Sequence, residues 1–75
     1  MNERFEEACD AYLLKCTPLP TAHGKFTPTL SARRLHAPDA AATIIPLEPS
    51  APFDTEIEAA TYAYVAGVEW VRDRG

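Results

Sequence analysis

Apolar residues at the start of the chain recur with a helical spacing. Phe5, Ala8, Cys9, Tyr12, Leu13 and Cys16 stand at i, i+3, i+4, i+7, i+8 and i+11, which is one face of a 3.6-residue period. Glu3, Glu6, Glu7 and Asp10 fall off that face, and acids early in a helix suit the positive end of its dipole. Asn2 supplies a cap, and Thr17-Pro18 a stop, because proline pushes the residue before it out of the helical region. The pattern predicts an N-terminal helix.

Residues 17–24 read as a loop, after which the period changes to two. Phe26, Pro28, Leu30 and Ala32 alternate with Lys25, Thr27, Thr29, Ser31 and Arg33, as in a half-buried strand. The alternation breaks at Arg33-Arg34, which predicts a bulge or a strand end there. Pro28 cannot donate a ladder hydrogen bond and is expected at a strand edge. Ala37-Pro38-Asp39 carries turn chemistry. A second short strand follows at Thr43-Ile44-Ile45-Pro46-Leu47, so the middle of the chain predicts a two-stranded antiparallel hairpin. Such a hairpin is marginal in water unless a helix covers it.

After the loop Pro49-Ser50-Ala51-Pro52, Thr55 with Glu58 three residues on forms a capping box, flanked by Asp54 and Glu56. A helix is predicted from there to Val71. Ile57, Ala60, Tyr64, Val68 and Val71 lie along one stripe; Ala59, Ala63, Ala66 and Trp70 lie along the next. Residues 59–68 carry no charge, so this helix has a weak solvated face. Gly67 costs about 1 kcal/mol relative to alanine in a helix interior, which implies that something packs closely on it. Arg72 and Arg74 suit the negative end of the dipole.

These elements make a single α+β domain over residues 1–75: N-terminal helix, two-stranded antiparallel hairpin, long C-terminal helix (αββα). Seventy-five residues bury a thin core, about 60% of the surface the unfolded chain exposes. The hydrophobic share of 47% beside 24% charged residues argues against wholesale disorder. All seven prolines fall between Pro18 and Pro52, so helix is expected only at the two ends.

The net charge of −4 is uneven: −2 over residues 2–16, +1 over 17–50 and −3 over 51–75. An acidic chain is repelled by phosphate backbones, so direct nucleic-acid binding is disfavoured and basic partners are favoured. No stretch approaches the roughly 20 apolar residues of a membrane span, and the acidic N-terminus is no secretory signal, so a cytoplasmic protein is expected.

Over residues 24–75, the hairpin, the Pro-rich turn, the capping Phe53-Asp54-Thr55-Glu56 and the Ala-rich helix ending in Trp70-Val71 resemble short bacterial and phage reading frames. In length and acidity the chain is similar to anti-CRISPR proteins and other small phage-encoded inhibitors. That resemblance implies a protein that binds host defence machinery without catalytic residues. It carries over no residue.

Candidate chemistry is sparse. Cys9, Cys16, His23 and His36 invite a metal site, but on one helix positions seven apart are separated by about 10.5 Å, too far for two thiolates on one zinc or for a disulfide. No metal or other cofactor is expected, and both cysteines read as reduced core residues. Cys16 with His23 or His36 would make a nucleophile pair, yet nothing supplies an oxyanion-hole loop. Lys25, Arg33, Arg34 and His36 would form a basic hairpin that touches phosphate or an acidic protein surface; the plainer reading is edge-strand protection. Strand alternation points Arg33 and Arg34 to opposite faces, so only a bulge would let them act together. Glu3, Glu6, Glu7 and Asp10 with Asp54, Glu56 and Glu58 would mimic a phosphate track if they shared one surface; each is also accounted for by its helix position. Tyr62, Ala66 and Trp70, with Tyr12, form an apolar set wider than a hairpin can cover, and aromatic residues are enriched at binding hot spots.

The expectation is a small acidic protein-binding module without catalytic residues, inhibiting a larger protein or ribonucleoprotein complex by surface occlusion. Its partner-binding residues would be the apolar Tyr62, Ala66, Trp70 and Tyr12 and the charged Glu3, Glu6, Glu7, Asp10, Asp54, Glu56, Glu58, Arg33 and Arg34. A homodimer through the same helix face is the first alternative, and a thiol-dependent activity at Cys16 the second.

Overall fold

The structure, a computed structural model, describes residues 5–36, 41–48 and 51–74. Among these residues the chain forms β1 (Glu6–Cys9), β2 (Tyr12–Pro20), β3 (Phe26–Arg34), β4 (Thr43–Ile44) and α1 (Glu56–Arg74). The strands make one antiparallel sheet in the order β1-β2-β3-β4, and α1 lies across one of its faces. The architecture is therefore β-β-β-β-α. This corrects the αββα expectation: the predicted N-terminal helix is a β-hairpin, and the sheet has four strands, where two were expected.

The N-terminal pattern admits both periods. Tyr12, Leu14, Cys16 and Pro18 also alternate, and they share the helix-facing side, with Leu14, Cys16 and Pro18 buried. Long-range pairing decides between the two. β2 and β3 run in unbroken register from Tyr12↔Arg34 to Pro20↔Phe26, a partner for β2 that no local window contains. Asp10 allows the β1–β2 turn by taking φ 52°, a left-handed conformation that aspartate tolerates better than most residues. The Asn2 cap and the Ala37-Pro38-Asp39 turn lie outside the described residues, as do Pro49 and Ser50.

Three prolines sit within these strands, and backbone parity explains how. The Cys16 amide donates to the Phe5 carbonyl (2.9 Å), so even-numbered residues of β2 turn their polar backbone toward β1. Odd-numbered ones turn toward β3, as does Thr21, whose amide donates to Lys25 at 2.8 Å. Pro18 and Pro20 are even, so the N–H each lacks would have pointed past the end of β1. On β3, the Leu30 carbonyl accepts from Ile45 (3.0 Å) and Phe26 exchanges two bonds with Phe53 (2.8 Å each). Pro28 shares their parity and faces the gap between those two attachments. It thus lies within β3 with its nitrogen turned away from β2, and no ladder bond is lost.

The core is the seam between helix and sheet. Leu14, Cys16, Leu30, Ala32 and Ile45 rise from the sheet to meet Ala60, Ala63 and Val71. The buried face of α1 is made of Ala59, Ala60, Ala63, Gly67 and Val71, almost all small, so the helix settles close to the strands. Its first turn carries the predicted capping box: the Glu58 amide donates to Thr55 Oγ1 (3.1 Å) and the Thr55 amide to Glu58 Oε1 (3.2 Å).

Candidate functional site

At the end of the sheet where β3 terminates, Tyr12 of β2 meets Trp70 of α1 edge to face, with ring centroids 5.2 Å apart. The Arg34 guanidinium lies 5.5 Å from the centroid of Tyr12, and that of Arg74 lies 4.0 Å from the centroid of Trp70. The order is cation, ring, ring, cation. Arg33 and Thr43 complete a groove of about 370 Å³ that also touches Ala32 and Ala41. Three arginines line it, and among the described residues no acidic one does. A cationic end thus stands on a chain of net charge −4.

Local structure places each part. Tyr12 begins β2 on the helix-facing side, directly across from Arg34 in the register. Arg33 and Arg34 alternate by strand parity, and both residues border the groove at the end of β3. No bulge is required. Arg74 follows Trp70 by four residues, the helical spacing that stacks one side chain over the next. Both guanidiniums lie within cation–π range of the rings, an attraction that favours these side-chain positions.

Of the expected partner-binding residues, Tyr12, Trp70, Arg33 and Arg34 come together here. Tyr62 and Ala66 lie farther back along α1, half-buried against residues 45–48. The Tyr62 hydroxyl donates to the Glu48 carbonyl (3.3 Å), and its ring packs on Phe53 with centroids 5.5 Å apart. The chain itself therefore flanks much of the apolar edge expected to be free; among the described residues the exposed large apolar ones are Leu19, Leu35, Ile44 (82%), Ile57 (67%) and Val65 (53%). Arg74 and Thr43 were not among the expected site residues. The spacing of Arg74 from Trp70 was a usable sign of its place.

The acids are distributed. Glu6 and Glu7 are neighbours on β1 and face opposite sides of the sheet; Asp10 occupies the turn. Glu3 lies outside the described residues. Asp54 pairs with Lys25, Glu58 is engaged in the capping box, and Glu56 stands in the first turn of α1.

Glu7 rims a second cleft, of about 390 Å³, between β1 and the first half of α1, with Phe5, Ile57, Thr61 and Tyr64 around it and Cys16 at its floor. Burial first, and the Glu7 charge second, push the Cys16 thiol up to about 11. A nucleophilic cysteine needs the opposite shift. Cys9 and Cys16 are both free thiols, on adjacent strands, where one helix had been expected to carry them. His23 is exposed in the β2–β3 loop and His36 is exposed after β3. Among the described residues no group of three or more His, Cys, Asp or Glu side chains is placed to hold a metal ion, and no helix is long and apolar enough to cross a membrane.

No protein family, characterised protein or solved structure matches this chain. The phage, anti-CRISPR, inhibitor and homodimer descriptions expected above are therefore withdrawn. The first three find no matching protein to stand on, and the helix edge invoked for the dimer is flanked by residues 45–48 of its own chain.

Proposed function

We propose that this chain is a protein-binding module that acts by occupying a surface of a larger protein, without catalysis. Its binding element is the groove formed by Tyr12, Trp70, Arg33, Arg34 and Arg74, and its target is an acidic segment. One observation carries this reading: three arginines, two of them with their guanidiniums over aromatic rings, line a groove with no acid among the described residues, on a chain of net charge −4. Arginine, tryptophan and tyrosine are the residue types that dominate binding energy at interfaces. The planar, fixed N–H edges of arginine match carboxylate geometry in a way that free lysines do not.

The test is affinity capture with three forms of the protein. The unaltered chain and a control with Thr61→Lys on the other half of α1 should retain the same partner. A form carrying Arg34→Glu and Arg74→Glu should lose it while keeping its circular dichroism. Equal retention by all three forms rejects the groove as the binding element.

A further inference from the structure

The groove discriminates among acidic groups. We propose that it takes a phosphoryl dianion, presented by a phosphorylated serine or threonine on the partner protein; this rests on the reading above. The argument starts from charge. Arg33, Arg34 and Arg74 all border about 370 Å³, with Thr43 beside them and no acid in the lining among the described residues. A carboxylate offers one negative charge and two oxygens, enough for one guanidinium fork. A phosphate monoester carries about −1.5 to −2 and three acceptor oxygens, enough for two forks and a hydroxyl.

Placement points the same way. The Arg34 and Arg74 guanidiniums lie over Tyr12 and Trp70, with Cζ 5.5 and 4.0 Å from the ring centroids, so both cations border the groove beside its aromatic wall. Because the rings already favour these side-chain positions, less rotamer freedom is lost when the anion arrives. The surroundings favour a single phosphoryl group over a nucleic acid. Glu69 and Asp73 line the adjoining cleft behind Trp70 and would repel the successive phosphates of a polyanion, which the net charge of −4 also opposes.

Trp70 is the chain's single tryptophan, so its fluorescence reports on the groove directly. The protein is titrated with a short phosphoserine peptide, the same peptide with glutamate or serine at that position, and a single-stranded RNA of about twelve nucleotides. The phosphopeptide should shift Trp70 emission and saturate, binding at least about tenfold more tightly than the glutamate peptide. Arg33→Gln with Arg34→Gln, which leaves the Arg74–Trp70 pair intact, should weaken it at least about tenfold with unchanged circular dichroism. Equal binding of the glutamate and phosphoserine peptides overturns the phosphoryl preference and leaves the acidic-segment reading standing. Failure of both peptides overturns both. Tighter binding of the RNA overturns the choice of a phosphoprotein.

Discussion

A Cβ added at Gly67 would stand 2.8 Å from Cδ1 of Leu14, closer than packed carbon atoms approach. Leu14 is fully buried, and Leu30 Cδ1 would stand 3.2 Å from the same Cβ, so the leucine has little room to yield. The glycine is therefore what lets α1 settle onto β2. Gly67→Ala gains about 1 kcal/mol of helix propensity, but overpacking a tight seam costs about 1–3 kcal/mol. The expected sum is a loss of about 1 kcal/mol in urea unfolding. Leu14→Ala alone should cost about 2–5 kcal/mol, and the double variant should lose less than the two singles combined.

Proline placement predicts a change in association with little change in stability. Pro20 is exposed, and its nitrogen turns to the β1 side of β2, past the end of β1 at Glu6. Pro20→Thr supplies an outward N–H on a strand-forming residue. The unfolding midpoint should move by no more than about 0.5 kcal/mol, while thioflavin-positive aggregation should accelerate.

The Cys16 thiol sets a pH dependence in the alkaline range. Its pKa rises from 9.0 to about 11 on folding, so the folded state holds the proton that the unfolded state releases. The stabilisation is complete below about pH 9 and is lost as pH rises toward 11. Unfolding free energy measured across that interval should fall more steeply for the unaltered protein than for Cys16→Ala. At pH 7 Cys16 should resist iodoacetamide until denaturant is added.

The capping box at the start of α1 is worth about 1 kcal/mol, and Thr55→Ala should remove about that much from chemical unfolding, with Thr55→Ser near neutral.

Legibility followed how local each signal was. The C-terminal helix was readable because its capping box, alanine run and terminal arginines all lie within the segment they shape. At the N-terminus, Leu13 and Leu14 are adjacent apolar residues, so the same stretch satisfies a period of 3.6 and a period of 2. Only the register with β3 selects between them, and that partner lies beyond a loop. Proline misled for a related reason. Pro18 reads as a helix stop and Pro28 as an edge marker, whereas strand parity gives each a place where no donor is needed. Tyr12, Trp70, Arg33 and Arg34 could be singled out one at a time by residue type. Their meeting depended on laying α1 across the sheet, which only the fold supplies.

Photo-crosslinking from two positions tests the central claim most directly. A benzophenone amino acid at Thr43, in the groove, should join the protein to an acidic stretch of its captured partner, and one at Thr61, in the first half of α1, should not. Crosslinks from Thr61 with none from Thr43 would contradict the account.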